Sequence, residues 1–187
     1  EHGGQSIDDG VLYASGRGHD AACAERACRM LLDAGYEVVG QTMIGLPGST
    51  VQSEINTAER LCRIGVQGAR IYPTVVFADT ALCDMMQDGR YEPLSLDEAV
   101  ERSAAVLRIF EDHGVRVIRV GLCASENLAS EEKVIGGASH SAIGELSMSE
   151  LNQKFRAFFE GDEILKRITN ANKGMPAREE AQSFIDY

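Results

Sequence analysis

No run of apolar residues in this 187-residue chain approaches the length of a membrane span. The first ten residues, Glu1 to Gly10, carry neither a basic n-region nor an apolar h-region, so no signal peptide is read there. Basic residues are scarce: 18 Lys and Arg face 29 Asp and Glu, a formal net charge of −11. That balance argues against a broad phosphate-binding surface, so nucleic acid is unsupported as a partner, and no membrane partner is expected. There is no C-x-x-C pair and no H-E-x-x-H. Internal repeats and low-complexity tracts are also missing. What remains is the composition of an ordinary globular domain, 44% apolar and 25% charged.

The five cysteines, Cys23, Cys28, Cys62, Cys83 and Cys123, are an odd number and scattered. They read as reduced thiols in a cytoplasmic protein rather than a disulfide framework. Cys23 and Cys28 are five apart on one predicted helix and so point about 140° apart, which prevents joint chelation. The four histidines, His2, His19, His113 and His140, lie far apart in sequence. No metal site is assigned to the chain; its cysteines fit small core residues better.

The chain alternates strand and helix. Residues 1–6 read as the end of a strand, followed by a short capped helical turn over Ser6–Leu12. Ser15-Gly16-Arg17-Gly18-His19 is a polar glycine loop. Asp20 caps a helix to Ala34 with Ala24, Ala27, Cys28 and Leu31 on one face. Tyr36–Ile44 is a strand with both faces apolar, as in a buried parallel sheet. A helix opens at Ser49 or Thr50 with Val51, Ile55, Ala58, Leu61 and Cys62 as its buried stripe. Ala69–Tyr72 is the next strand, and Thr80–Asp88 a short helix. Ser95 and Glu98 form a capping box for a helix with Ala99, Val106, Leu107 and Phe110 inward. Val115–Leu122 is a further strand. This rhythm predicts a parallel α/β sheet with right-handed crossovers, either open and doubly wound or part of a barrel. A complete eight-stranded barrel needs about 250 residues. We divide the chain into 1–123, a partial β/α barrel, and 124–187, a loop-rich and helical C-terminal extension. In the latter, Ser147 and Glu150 suggest a second capping box. Helices are expected over Glu163–Asn170 and Ala177–Ile185.

The stretch Ile44-Gly45-Leu46-Pro47-Gly48 breaks a strand into a tight turn before a helix, the corner where α/β proteins place small-molecule sites. Ser49 is wrongly placed for the centre of a G-x-S-x-G elbow and is better used as a cap, so a hydrolase is not indicated. The other strand ends, Gln5-Ser6, Tyr72-Pro73-Thr74 and Gly121-Leu122-Cys123, would share a rim with it. Arg17 and His19 would overhang that rim, and Arg17 with helix-N-terminal amides suits an anion such as a carboxylate. The plain alternative for Arg17 and His19 is a solvated loop.

These segments, in this order, resemble the radical SAM superfamily, in particular the radical SAM domain of the Elongator catalytic subunit and its bacterial relatives. The resemblance rests on Glu1…Gly4-Gln5-Ser6, on Val11-Leu12 with Arg17-Gly18-His19, and on Met43-Ile44-Gly45-Leu46-Pro47-Gly48-Ser49-Thr50. It continues through Arg70-Ile71-Tyr72-Pro73-Thr74, Gly89-Arg90-Tyr91-Glu92-Pro93 and Val115–Val120. It implies a partial barrel with S-adenosylmethionine lying across the strand ends. Gln5 and Ser6 would then sit near the ribose and methionine part, and Arg17, with His19 beside it, would face the carboxylate end. Ile44, Gly45 and Leu46 would give backbone contacts to the adenine, with Tyr72 and Pro73 closing that side. The implied reaction is reductive cleavage of the sulfonium by a 4Fe–4S cluster to a 5′-deoxyadenosyl radical. The family's cluster-binding cysteine motif is missing from this sequence, and so are the first three strands. The chain is therefore expected to be the later half of such a protein, natural or engineered, without the cluster and inactive alone, its substrate and catalytic residues unassigned. The competing reading is a cluster-less α/β ligand-binding or assembly module. A half barrel leaves an open parallel edge, so self-association is expected.

Overall fold

The computed structural model describes residues 2–122, 133–140 and 142–161, with side chains from Gln5 to Leu122, 133–140 and 142–154. The expected helices over Glu163–Asn170 and Ala177–Ile185, and the strand end at Cys123, lie outside the described residues. In chain order the elements begin with β1 (His2–Gln5), α1 (Asp9–Ala14), α2 (Ala21–Asp33), β2 (Val39–Ile44), α3 (Val51–Ile64) and β3 (Gly68–Pro73). They continue with β4 (Val75–Phe77), α4 (Ala81–Gln87), α5 (Leu96–Asp112), β5 (Arg116–Val120), β6 (Val134–Gly137) and α6 (Ile143–Gly161). The chain divides into two compact units, Glu1–Leu151 and Asn152–Tyr187. Every site described below lies in the first. No helix among the described residues is long and apolar enough to cross a membrane.

Four strands form one parallel sheet in the order β1-β2-β3-β5. Neighbouring parallel strands joined by right-handed crossovers send every intervening helix to the same face. The packing agrees. A Cβ on Gly40 of β2 would stand 3.1 Å from Leu61 of α3. A Cβ on Gly68 of β3 would instead meet Val39 and Ile118, on the opposite face. Gly40, Thr42 and Ile44 therefore lie buried under the helices, while Val39, Gln41 and Met43 alternate on the other side, only part-buried. This corrects the two-sided apolar strand expected over Tyr36–Ile44. The strand starts at Val39, and Tyr36 is 64% exposed.

The core sits between the sheet and the pair α3 and α5, around Ala58, Leu61, Ile71, Ala104, Leu107 and Phe110, all buried. Helix starts follow local chemistry. Thr50 and Ser95 each accept from the backbone three residues on and complete capping boxes with Ser53 and Glu98. The buried stripe of α3 is Glu54, Thr57, Ala58 and Leu61. It keeps Ala58 and Leu61 of the expected stripe, adds Glu54 and Thr57, and leaves Val51 exposed. Leu31, expected on the inner face of α2, is likewise exposed.

A small antiparallel ribbon, β4 with β6, was not foreseen. It takes the residues just after β3 and draws on a stretch that reads as loop. Gly137 allows the close approach: its φ is +86°, and a Cβ there would lie 2.5 Å from the Thr74 carbonyl. The capping box expected at Ser147 and Glu150 does not open a helix. The helix α6 has already begun at Ile143, and the buried Ser147 hydroxyl donates to the Ile143 carbonyl at 2.8 Å.

Candidate functional site

Strand register brings the predicted rim together. Gln5 pairs with Thr42, Met43 with Tyr72, and Ile44 with Pro73. The C-terminal ends of β1, β2 and β3 therefore stand side by side. At the first, Gln5 is held at φ +49°, a left-handed conformation uncommon outside glycine, and its Oε1 is buried with no partner among the described residues. Ser6 is buried, but its hydroxyl is used locally: it accepts from the Asp8 amide at 3.2 Å and lies 3.5 Å from the Thr57 hydroxyl. Ser6 thus secures the turn after β1.

Arg17 reaches the rim from the loop after α1. Its Nη2 lies 3.9 Å from the Met43 sulfur, and its Nε is buried without a partner. His19 Nε2 is also buried and unpartnered. Both residues line an open cleft of about 530 Å³ whose other walls include Tyr13, Cys23 and Arg26, so His19 belongs to that cleft and Arg17 to both places. The helix-N-terminal amides expected to assist Arg17 are partly occupied. The Ala21 amide donates to Asp9 at 2.8 Å and the Cys23 amide to Asp20 at 2.6 Å. Two carboxylates already answer the α2 N-terminus.

The glycine turn after β2 is held more tightly than its sequence suggests. Gly45 has φ +77°, and a Cβ there would stand 2.7 Å from Leu94 Cδ1. Its amide donates to Glu54 Oε1 at 2.7 Å, and its carbonyl accepts from the Tyr91 hydroxyl at 2.7 Å. The Ile44 carbonyl accepts from the Thr74 amide at 2.8 Å, and the Leu46 carbonyl from the Ser49 amide at 2.9 Å. Ile44 and Leu46 are buried. Beside them, Tyr72 is part-buried with Met43 on the sheet face away from α3, and Pro73 is buried. The Thr74 hydroxyl is another buried polar atom without a partner among the described residues.

Glu54, Arg102 and Tyr91 are the residues that sequence reading missed. Glu54 and Arg102 form a buried ion pair, with Arg102 Nη2 to Oε1 at 2.6 Å and Nε to Oε2 at 2.9 Å. Ser49 joins them: its hydroxyl lies 3.0 Å from Glu54 and 3.1 Å from Arg102. The helix cap falls to Thr50, which leaves Ser49 free for this network. The one available signal was Glu54 at a position that helical spacing places beside Ala58 and Leu61. Burial pushes the Tyr91 phenol up to about 12, with the Arg102 charge opposing. Burial also raises the Cys28 and Cys62 thiols, as suits packing rather than reactivity.

The chain is similar to several known proteins. Residues 66–153 match the family model described as the Radical_SAM C-terminal domain. Protein YhcC of Escherichia coli K12 is 27% identical over 108 residues, 58% of this chain and 35% of YhcC. Human Elongator complex protein 3 is 27% identical over 154 residues, 81% of this chain and 27% of the human protein. The solved structure of archaeal Methanocaldococcus infernus Elp3 with an N-terminal deletion superposes with a TM-score of 0.71 at 26% identity, covering 81% of this chain and 35% of that one. By these likenesses the chain is similar to proteins of the radical SAM superfamily, and within that class to Elongator-type members. It spans about a quarter to a third of the length of these relatives.

The residues described fit one of the two groups the family implies. Buried, unpartnered Gln5 Oε1 and Arg17 Nε beside a glycine turn suit a polar ligand such as S-adenosylmethionine. For an iron–sulfur cluster they do not fit: among the described residues no three His, Cys, Asp or Glu side chains converge.

Proposed function

We propose that this chain forms one wall of an S-adenosylmethionine site in a radical SAM enzyme. In this reading the parallel sheet is the later part of a partial β/α barrel, and residues beyond it form a C-terminal extension. The observation that carries the reading is the pair of buried, unpartnered polar atoms, Gln5 Oε1 at the C-terminal end of β1 and Nε of Arg17, whose guanidinium reaches Met43 near the end of β2. A buried polar group without a partner costs on the order of 1–3 kcal/mol, and a ligand that supplies the partner recovers it.

The roles follow from position. The turn at Ile44, Gly45 and Leu46 is the part of the rim that would flank the adenine; the space a Gly45 Cβ would take belongs to Leu94, so the glycine serves the packing of the turn. Tyr72 and Pro73 close the same side. Gln5 faces the ribose and methionine part, with Ser6 holding its turn rather than the ligand. Arg17 takes the carboxylate, and His19 stands behind it. Gln5, Arg17 and the rim would hold S-adenosylmethionine, which would supply radical chemistry in the whole enzyme. The residues of this chain bind and orient; they do not reduce. Alone, the chain carries out no radical chemistry.

Titration of the isotope-labelled chain with S-adenosylmethionine, followed by NMR up to millimolar ligand, tests the reading. Shifts concentrated at Gln5, Arg17, Ile44 to Leu46 and Tyr72 are expected. No shifts at these residues would overturn it.

A further inference from the structure

Among the described residues, one buried carboxylate is left unused by ligand binding. Glu54 of α3 is 4% exposed, and Arg102 of α5 meets both of its carboxylate oxygens, fork to fork. A buried ion pair is weak evidence for stability, because desolvation offsets most of the attraction and apolar residues of like volume do as well. What apolar residues would not do is accept a hydrogen bond. Glu54 Oε1 also takes the Gly45 amide, at 2.7 Å. On the far side the Tyr91 hydroxyl donates to the Gly45 carbonyl at 2.7 Å. That amide belongs to the peptide before the Gly45 Cα and that carbonyl to the peptide after it. Both peptide planes are therefore fixed by side chains, and those side chains come from separate places in the chain. Glycine is the residue that most needs such holding, because its backbone is otherwise the freest.

We propose that Glu54, Arg102 and Tyr91 are positioning residues that set the two Gly45 peptide planes before ligand arrives, and so determine how tightly the adenosine half is held. The inference rests on the S-adenosylmethionine reading above. Arg102 acts at one remove: it holds the Glu54 carboxylate in the orientation that receives the amide, and Ser49 is the fourth member of the same network. A turn held in its bound shape loses less freedom on binding, which appears as affinity.

Tyr91→Phe is the decisive variant, since it removes one hydroxyl and keeps the ring in its packed place. In the full chain, Gly45 and Leu46 amide exchange is expected to quicken about tenfold, and affinity for S-adenosylmethionine and for adenosine to fall about 5–10-fold, the scale of one lost hydrogen bond. Gly114→Ala, at φ +67° with open space around it after the C-terminal end of α5, is the control for general destabilisation: it should lower the melting temperature and leave both readouts alone. Arg102→Lys keeps the charge without the fork and should fall between wild type and Arg102→Met. Quickened exchange with unchanged affinity in Tyr91→Phe would overturn the positioning role and leave the site reading standing, as would unchanged exchange. A wild-type chain whose rim residues do not respond to S-adenosylmethionine would overturn the site reading itself, and this role with it.

Discussion

At the scale of single residues, Glu54 and Arg102 show how a charge can be buried without being wasted. Removing one partner strands the other in a site with little water. Glu54→Leu is therefore expected to destabilise by about 3–5 kcal/mol, and the double variant Glu54→Leu with Arg102→Met by distinctly less. Urea unfolding of the three proteins measures this as a mutant cycle. Tyr91 adds a pH dependence whose sign follows from its environment. Its phenol is held up to about 12, above the ordinary value of 10, so the folded state favours the protonated form. Its contribution is complete below pH about 10 and is lost as pH rises from there through about 12. Absorbance near 295 nm should show one tyrosine ionising near pH 12, and Tyr91→Phe should remove that step.

At the scale of elements, the caps and turns carry the local definition. Thr50→Ala and Ser95→Ala each remove a capping side chain and should cost about 1 kcal/mol. The Ser95 hydroxyl and amide hold the Glu98 carboxyl below its usual range. That capping contribution is present above the ordinary Glu value near 4.3 and is lost as pH falls through the lowered one. Glycines in the left-handed region divide by their surroundings. Gly65, at φ +98° with open space around it, should lose about 1 kcal/mol on change to Ala. Gly45→Ala carries the same backbone strain and drives a methyl into Leu94 as well, so its loss should exceed that of Gly65→Ala. Adding Leu94→Ala should relieve the clash and leave the strain, which denaturation midpoints would separate.

At the scale of the molecule, the parallel sheet has two edges, β1 and β5, that are unpaired among the described residues. Parallel edges are the part of such a sheet most prone to association. Sedimentation velocity over a tenfold concentration range is expected to show a rising weight-average coefficient. A single concentration-independent species would refute that. Iron-reconstituted, reduced chain is expected to yield no 5′-deoxyadenosine, and product detected by chromatography would show that this chain reaches the chemistry unaided.

The sequence by itself determined the alternation of the four main strands with helices, the parallel sheet and the likeness to the superfamily. Each depends on local signals: apolar periodicity, Asp20, Thr50 and Ser95 as caps, and a run of short motifs in fixed order. It also marked the rim, because strand ends in a parallel sheet lie at one edge whatever the details of packing. Tertiary structure decided which side chains that rim leaves without partners. Ser6, read as facing a ligand, closes its own turn, while the α2 amides beside Arg17 receive Asp9 and Asp20. The β4–β6 ribbon joins residues more than fifty apart, and the pairing of Glu54 with Arg102 spans a separation of 48. No periodicity reports a contact of that kind, because helical spacing says that Glu54 faces inward and not what it meets there. The folded chain alone brings α3, α5 and Tyr91 to the two sides of Gly45, and in doing so turns a flexible glycine corner into a held surface.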